Sequence, residues 1–489
     1  MCEPSLRVRP LRALRHWRPL LAALPLMLAA CQSMAPDYQR PAAPVAARYP
    51  QQADAADALA PALVWQVYFR DPQLQALITQ ALANNRDLRV AALRVEEARA
   101  LYGIQRADLF PAIGAQAGVD RSRTPADLNL TGRPLVGSAY QAGLGLSTWE
   151  LDLWGRLRSL DDAALQSALA SEATRRAAAL SLVAQVADAW LELAEIDERL
   201  AIARDTIASR QESYRIFARR VEVGATSRLN LTQIETLLTQ AQALGAQLEQ
   251  QRAQRLNALT LLVGAPVELS VGRARTALDT VFPDIAAGTP SLLLTRRPDI
   301  AAAEHRLQAA NANIGAARAA FFPSISLTGS LGTASAELNG LFRDGSHAWS
   351  FSPSISLPIF TAGRLRNNLD LAEVRRDLAV ANYEKTVQAA FRDVADALAA
   401  RQWLTRQLAI AETAEQVQAE RARLSTLRYD NGAAPFLDVL DAQRDLLSAR
   451  QQRVQIRRAL LSSAVALYAA LGGDSNAATA FPLSSGPRP

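Results

Sequence analysis

The sequence offers few side chains whose type and spacing could support catalysis. Of its three histidines, His16 lies near the N-terminus, and His305 and His347 have no partner at metal-ligand spacing. Asp161 and Asp162 are adjacent in a helical pattern, so their carboxylates point apart and cannot converge on one proton or metal. No HExxH motif, nucleophile elbow or phosphate-binding loop occurs. We therefore expect no enzyme activity, no metal and no cofactor.

Two carboxylates are better placed for an electrostatic role. Asp438 and Asp441 lie three residues apart, on one face of a helical segment that follows Gly432. If several copies of the chain surrounded an axis, these groups would form stacked carboxylate rings, which select cations and can constrict a pore. The alternative is that they are solvated charges at a helix start, where the helix dipole favours acidic residues.

The N-terminal segment has the pattern of an export signal that ends at a cysteine. Five arginines precede a short apolar run, from Leu20 to Ala30, which cannot span a bilayer as a helix. The run ends in Leu28-Ala29-Ala30-Cys31, which resembles the cleavage site of bacterial lipoproteins. This resemblance implies that residues 1–30 are removed and that Cys31 carries lipid. Bacterial lipoproteins with Asp after the cysteine tend to stay in the inner membrane, so the resemblance also implies the outer membrane for a chain with Gln32. An ordinary signal peptide with an incidental cysteine is the alternative.

The basic balance of the chain does not indicate nucleic-acid binding. The formal net charge is +6, and residues 1–30 contribute +4 of it through five Arg and one Glu. In the remainder, arginine alternates with Asp and Glu along helical stretches, which is typical of solvated helix faces.

The second half of the sequence repeats the first at a nearly constant offset. Phe110-Pro111 recurs as Phe322-Pro323, and Gly224 recurs as Gly432. We expect two copies of one structural unit, about 72–264 and about 298–472, in a pseudo-symmetric arrangement rather than as separate domains.

Each copy contains a long stretch without glycine or proline. These stretches cover 156–223 and 364–431 and are rich in Ala, Leu, Arg, Glu and Gln, which favour helices. A continuous helix of this length would reach about 100 Å. Further helices are expected at 72–108, 229–262, 298–320 and 436–471.

Between each Phe-Pro pair and the next Gly-Arg pair, the periodicity changes from helical to alternating. We expect two hairpins, at about 112–149 and about 324–360, with strands of about 9–11 residues, the length that crosses a bilayer when tilted. A hairpin on a soluble sheet is the alternative. Aromatic residues suited to membrane girdles lie near the strand ends: Phe110, Trp149, Trp349 and Phe360.

Four strands are too few to close a transmembrane barrel, whose smallest common form has about eight. An open sheet edge in lipid would leave backbone groups unpaired. If the strands enter a membrane, several chains must pool them, and three chains would supply a twelve-stranded barrel with an open lumen.

Several short motifs follow one another along the chain after residue 30. They are Pro36-Asp37-Tyr38, Trp65-x3-Phe69-x-Asp71-Pro72, Asn84-x2-Asp87-Leu88-Arg89, the Phe-Pro pairs, Trp149-Glu150-Leu151-Asp152-Leu153-Trp154-Gly155-Arg156, Arg296-Arg297-Pro298-Asp299-Ile300 and Leu437-x3-Asp441-Ala442-Gln443. In their order and duplication, these motifs resemble those of the TolC/OprM superfamily of outer-membrane efflux channels, especially NodT-type lipoproteins that work with resistance-nodulation-division pumps. The resemblance covers nearly all of the chain after residue 30.

The resemblance implies a mostly α-helical chain with a transmembrane β part. Residues 31–489 would form a trimeric 12-stranded β-barrel, with four strands per chain, continued by a long periplasmic α-helical barrel. The implied function is a passive conduit that exports small molecules such as drugs across the outer membrane, where lipid on Cys31 would anchor it. The implied partners are two further copies of the chain, a periplasmic adaptor (membrane fusion protein), an inner-membrane resistance-nodulation-division pump and outer-membrane lipid.

The resemblance also assigns roles at the turns that follow the long helices. It makes Val223-Gly224-Ala225-Thr226 and Asn431-Gly432-Ala433-Ala434 the tips that contact the adaptor, although an ordinary helix turn would also use glycine there. It assigns the gate to Tyr429, Leu437, Asp438, Asp441 and Arg444.

This chain departs from TolC at one pair of positions. Ala434 and Asn230 stand where an arginine and an aspartate pair in TolC itself. Closure therefore needs other contacts, and packing of Leu437 and pairing of Asp441 with Arg444 are the candidates.

The sequence leaves two other functions open. One is a conduit for type I protein secretion. The other is a periplasmic coiled-coil lipoprotein or adaptor that forms no channel, although such a protein would not need two hairpins of membrane-crossing length.

Overall fold

A computed structural model describes residues 33–50, 64–269, 282–283, 285 and 293–473. The predicted signal segment, Cys31 and the tail from Asp474 lie outside these residues. The described helices are α1 (Trp65–Tyr68), α2 (Pro72–Asn84), α3 (Arg86–Ala107), α4 (Arg156–Glu222), α5 (Arg228–Val263), α6 (Leu293–Arg296), α7 (Pro298–Ala319), α8 (Arg364–Asp430) and α9 (Phe436–Ala470). The strands are β1 (Ile113–Thr124), β2 (Leu135–Leu151), β3 (Ser324–Ser335) and β4 (His347–Ser356).

The two long helices that the sequence predicts are confirmed. Helices α4 and α8 contain 67 residues each, and α5 and α9 follow them with 36 and 35 residues. Among the described helices, only α4 has a segment long and apolar enough to cross a membrane, and 56% of that segment is buried in protein, as in a core helix.

One predicted helix, 72–108, is two helices, because Asn85 ends α2 and starts α3. The backbone N–H of Asn85 donates to the carbonyl of Ala81, 2.9 Å away, and its Oδ1 accepts from the N–H of Leu88 at 2.9 Å. Its Nδ2 donates to the carbonyl of Leu262 at 2.8 Å. An asparagine side chain that offers the backbone an alternative partner interrupts a helix in this way.

The described residues form two compact units. The β unit contains the described residues of Met1–Pro41, Glu96–Leu169 and Glu304–Ala381, and includes all four strands. The helical unit contains those of Ala42–Val95, Ala170–Ala303 and Asn382–Pro489.

Ion pairs hold the long helices of the helical unit side by side. Arg252 of α5 lies 2.5 Å from Asp197 of α4. Arg453 of α9 bridges Glu198 of α4 at 2.9 Å and Glu415 of α8 at 2.6 Å. These pairs connect α5 to α4, α4 to α9, and α9 to α8.

Three carboxylates of α4 are buried in these contacts. Glu195, Asp197 and Glu198 are each 7% exposed, and an arginine pairs with each of them. Removing one member of a buried pair leaves an uncompensated charge, which costs roughly 3–5 kcal/mol. The pairs therefore fix the register of α4 against its two neighbours.

The β unit contains one antiparallel sheet in the order β1-β2-β3-β4. A register shift between Leu146 and Trp149 interrupts the pairing of β2 with β3. Strand β4 ends at Ser356, so Leu357 and Ile359, which the alternation placed in the strand, lie beyond it. The adjacent Pro358 has no N–H to donate to a sheet ladder.

The two faces of the sheet differ in chemistry, because side chains alternate along each strand. One face is rich in glycine, serine, threonine and glutamine. On this face, serine hydroxyls of β3 and β4 lie 2.7 Å apart in the pairs Ser326–Ser354 and Ser330–Ser350. The other face is apolar. Its members include Ile113, Ala115, Ala117, Val119, Ala142, Leu144, Leu146, Ile325, Leu327, Leu331, Trp349, Phe351 and Ile355.

The segment 33–41 is a strap across the helices of the β unit. Arg40 donates to both carboxylate oxygens of Glu304, at 2.8 and 2.9 Å, and Asn311 donates to the carbonyl of Pro36 at 2.7 Å. The strap passes so close to α7 that a Cβ on Gly315 would lie 2.6 Å from the backbone nitrogen of Ala35. Glycine is therefore required at position 315 by lack of space.

We expect Gly315→Ala to displace the strap and to lower the free energy of unfolding by about 1–3 kcal/mol, as overpacking does. The measurement is denaturant unfolding of the detergent-solubilised protein. Gly103→Ala is the matched control, since a Cβ at that helical glycine meets nothing within 4 Å and should be neutral or slightly stabilising. Equal effects of the two changes would contradict the proposed fit of the strap.

Candidate functional site

The two predicted tips are helix ends with the same backbone geometry. At the first tip, the N–H of Gly224 donates to the carbonyl of Val221 at 3.0 Å, and that of Ala225 to Arg220 at 2.8 Å. At the second, Gly432 donates to Tyr429 at 2.9 Å and Ala433 to Arg428 at 2.8 Å. This double bonding is the Schellman motif, which needs a left-handed residue. Gly224 and Gly432 supply it, with φ of 73° and 70°.

The helices that return from the tips begin differently. Ser227 caps α5 by accepting from the N–H of Asn230 at 3.2 Å. Helix α9 begins after Pro435, which has no side-chain cap. The amide of Asn230 donates to Thr226 Oγ1 at 3.1 Å, so Asn230 contributes to its own turn.

Aromatic side chains join the two helix ends above the tips. The rings of Phe217 and Phe436 have centroids 4.4 Å apart, and those of Tyr429 and Phe436 lie 4.8 Å apart. Ile234 and Leu440 complete the buried centre of this group, at 1% and 4% exposure. We call these five residues the tip cluster. Burial of its apolar surface stabilises the association of α4 and α5 with α8 and α9.

Arg220 ties Tyr429 to the other hairpin. Its Nη1 donates to the hydroxyl of Tyr429 at 2.7 Å, and its guanidinium lies 5.2 Å from the ring centroid of Phe217. Sequence reasoning missed Arg220. Its counterpart in the repeat is Arg428, which instead donates to the carbonyl of Ala433 in its own turn. Only the structure distinguishes these two arginines.

The other four predicted gate residues share one face at the start of α9, away from the tip cluster. Asp438 is exposed, and Leu437 is 46% exposed, so both side chains are available to a second copy, and closure through Leu437 stays a prediction. Phe436 is the neighbouring side chain that packs in the tip cluster. The predicted pair of Asp441 with Arg444 is present, with Oδ1 and Nη1 3.1 Å apart.

Arg444 is shared with a third carboxylate, because its Nη2 also lies 3.2 Å from Asp445. Asp445 in turn bridges α9 to Arg421 of α8 at 2.7 Å. The hydrogen bond from Arg421, with help from Arg444, lowers the pKa of Asp445. A carboxyl whose folded pKa is lowered contributes stability above its ordinary pKa and loses it as pH falls through the lowered value. The bridge between α8 and α9 therefore persists at neutral pH.

The carboxylates at the start of α9 give this arrangement an electrostatic capacity. Within the described ranges, no three His, Cys, Asp or Glu side chains are grouped so that they could hold a metal ion. The carboxylates of Asp438 and Asp441 present charge at the surface, and a passing cation could approach both because they share one helix face.

Comparison with known proteins gives consistent results. The sequence model of the family described as outer membrane efflux protein matches residues 77–265 and 289–473. The chain is 46% identical over 478 residues to the probable efflux pump outer membrane protein SepC of Pseudomonas putida, covering 95% of this chain and 98% of SepC. It is 47% identical over 450 residues to the outer membrane protein OprJ of Pseudomonas aeruginosa, covering 92% and 94%.

Solved structures show the same likeness. A crystal structure of a membrane protein from Pseudomonas aeruginosa matches with a TM-score of 0.86 and 46% identity, covering 90% of this chain and 100% of that one. The open state of the outer membrane channel MtrE of Neisseria gonorrhoeae matches with a TM-score of 0.82 and 40% identity, covering 91% and 98%.

We expect Tyr429→Phe to loosen the second tip while the tip cluster stays packed. The change removes the hydrogen bond from Arg220 but keeps the ring. Since the pair is exposed, the loss is about 1 kcal/mol or less, so amides of 427–441 should exchange hydrogen up to about fivefold faster by mass spectrometry.

Tyr214→Phe is the matched control, because Tyr214 packs against the same cluster. Unchanged exchange in Tyr429→Phe, or an equal increase in both variants, would show that the Arg220 contact does not restrain the tip.

Proposed function

The chain belongs to the outer membrane efflux protein family, so it serves as the outer-membrane channel of an efflux pump, and we propose that it does so as a passive homotrimeric conduit gated at its helix tips. The family that the sequence motifs indicated is thereby confirmed. Relatives named as efflux pump proteins favour this function over type I protein secretion or a non-channel lipoprotein.

The sheet supports a shared transmembrane barrel. Among the described residues, its outer strands, β1 and β4, each pair on one side only, and three copies would join them into twelve strands. Along β2, Tyr140 and Trp149 are nine residues apart, which is about 30 Å of strand. With the usual tilt, that distance fits the apolar band of about 25 Å in outer-membrane barrels. The serine- and glycine-rich face would then line the lumen.

Helix α8 carries an exposed apolar stripe that suits a second copy. Trp403, Ile410, Val417 and Leu424 are seven residues apart and are 54%, 63%, 61% and 43% exposed. A seven-residue apolar repeat on a helix surface matches one of the two core positions in the heptad of a left-handed coiled coil. At the equivalent positions of α4 the stripe is interrupted, because Glu195 and Ser209 alternate with Ile202 and Ile216.

Helix α5 carries a complementary stripe of small residues, all exposed. Five of them recur alternately four and three positions apart, and a sixth follows seven positions later, beyond Gln250: Thr232, Thr236, Thr239, Ala243, Ala246 and Ala253. Large side chains of α8 could fill the spaces that these residues leave on α5 of the next copy. Such a contact between unlike surfaces builds a closed ring when the rotation permits. This complementarity is the main observation that supports the proposed trimer.

In the proposed trimer, Asp438 and Asp441 would face the axis as rings of three carboxylates near the periplasmic opening. Rings of this kind favour cations and resist close approach of the tips. Pairing with Arg444 partly neutralises Asp441. It therefore weakens the repulsion between the three Asp441 carboxylates and would allow their ring to stay narrow. Opening would then require the tips to move apart, and Arg220–Tyr429 within each chain would oppose that movement.

The remaining partners follow from the family. A periplasmic adaptor would contact the two tips, 223–226 and 431–434, and an inner-membrane resistance-nodulation-division pump would supply energy. Relatives named as toluene, solvent and antibiotic efflux proteins support small apolar molecules and drugs as cargo. Lipid on Cys31 would add to the anchoring that the barrel provides.

The first prediction is a crosslink between copies. Val417 and Ala243 lie at similar distances along their helices from the tips, so Val417→Cys with Ala243→Cys should give disulfide-linked dimers and trimers on oxidation. A disulfide needs Cα atoms within about 7 Å. After removal of residues 1–30 the chain has one native cysteine, Cys31. Lipid on its sulfur would prevent it from forming a disulfide with the introduced cysteines.

The matched control pairs Val417→Cys with Ala253→Cys, which lies on the same stripe but about 15 Å further along α5. Linked species in the control alone, or none in either pair, would contradict the proposed contact of α8 with α5.

The second prediction concerns conductance in planar bilayers. Wild-type trimers should show a small, cation-selective conductance. Asp441→Ala should raise it about twofold or more, because it removes both a ring carboxylate and the partner of Arg444. Glu249→Ala removes an exposed carboxylate on α5 and should leave conductance unchanged. If Asp441→Ala leaves the conductance unchanged, the protein is still a channel, but Asp441 is not part of its gate.

A further inference from the structure

The apolar face of β1 ends beside an aromatic residue of the neighbouring strand. On β1 this face runs from Ile113 to Val119, and Val119 pairs with Tyr140 of β2. Tyrosine at such a boundary marks the level where lipid chains give way to headgroups. The strand segments beyond this level lead into the hairpin loops.

Two arginines continue the same face of β1 beyond this boundary. Arg121 and Arg123 follow Val119 at alternate positions, opposite Ser138 and Val136 of β2, and both are exposed. Their Cα atoms are about 7 Å apart, and their side chains point to the apolar side of the sheet rather than to the serine-rich side. They therefore lie where headgroups would meet the sheet.

A third arginine is presented by the loop of the same hairpin. The amide of Asn129 donates to the carbonyl of Arg133 at 2.8 Å, and the N–H of Gly132 donates to the carbonyl of Asn129 at 2.8 Å. These bonds order the loop. Arg133 is exposed, at the same end of the hairpin as Arg121 and Arg123.

These three arginines, which we call the loop-end cluster, lack a counter-charge among the described residues. None of them has an ion pair within 4.0 Å there, and the nearest acid along β1, Asp120, projects from the opposite face. At the helix end of the sheet the pattern differs. Arg156 lies 2.6 Å from Glu150, and Arg158 lies 3.2 Å from Asp152. The arginines at the helix end thus already have carboxylate partners, whereas those of the loop-end cluster have none among the described residues and can meet an external anion.

We propose that the loop-end cluster of Arg121, Arg123 and Arg133 binds phosphate groups in the headgroups of outer-leaflet lipid. The proposal rests on the proposed function, since it requires the apolar face to lie in a membrane. Guanidinium matches phosphate with two parallel hydrogen bonds. The arginines directly continue the lipid-facing surface of β1, so a headgroup reaches them while the acyl chains contact Val119 and Tyr140.

The test uses the full-length lipoprotein in detergent, exposed to bisphosphorylated lipid A or to the same lipid without phosphates, with bound lipid counted by native mass spectrometry. Wild type should retain the phosphorylated lipid and not the other. A basic residue near an anionic surface contributes about a fivefold factor in affinity, so Arg121→Gln with Arg123→Gln should weaken retention about thirtyfold.

Arg366→Gln with Arg375→Gln is the matched control, because both are exposed arginines on α8 in the same unit and neither continues the apolar face. Retention equal to wild type in the Arg121/Arg123 variant would overturn the proposal. If wild type retains dephosphorylated lipid as well as phosphorylated lipid, the apolar face alone binds the lipid, and the arginines do not bind its phosphates. Full competition by inorganic phosphate would indicate a general anion site instead of a lipid site.

Bilayer conductance separates failure of this proposal from failure of the proposed function. If the Arg121/Arg123 variant conducts like wild type but retains phosphorylated lipid equally well, only the lipid site is wrong. If wild type neither inserts nor conducts, the membrane placement itself is wrong.

Discussion

The unpaired backbone along the edges of the four-stranded sheet is the constraint on which the rest of the structure depends. Within the part of the chain that the structure describes, strands β1 and β4 each have one side without a partner strand. In water those N–H and C=O groups would be solvated, but in lipid each would cost several kcal/mol. A sheet with an apolar face toward lipid is therefore incomplete as a single chain. In the helical unit, the stripes on α5 and α8 likewise leave surface exposed in the single chain. Additional copies would pair the strand edges and cover these stripes.

The two halves of the chain share backbone geometry but differ in their restraints. Gly224 and Gly432 form the same turn, yet Arg220 reaches the opposite hairpin while Arg428 closes its own turn. The first return helix has a serine cap, and the second begins after a proline without one. A side-chain cap is worth about 1 kcal/mol. The second hairpin, which carries the proposed gate, thus has fewer local restraints than the first.

The ion pairs between the long helices indicate where movement would be least costly. Glu195 and Glu198 are buried where α4 meets α9, and breaking such pairs costs several kcal/mol. The bridge from Asp445 to Arg421 is about half exposed on the arginine side, at 48%, and exposed pairs contribute about 0–1 kcal/mol. Separation of α8 from α9 near the tips would therefore cost less than separation of α4 from α9 further along.

Sequence alone determined the long helices, the hairpins and the turns, because helix propensity, two-residue alternation and glycine placement are local properties. It also identified the family and placed Asp441 beside Arg444, since residues three apart on a helix are neighbours. Contacts between distant segments required the tertiary structure. It decided that Asn85 divides a helix by bonding to Leu262, that Phe436 rather than Leu437 packs in the tip cluster, and that Arg220 rather than Arg428 holds Tyr429. Repeated positions with the same residue type have the same local preferences, so only their different surroundings in the folded chain distinguish them.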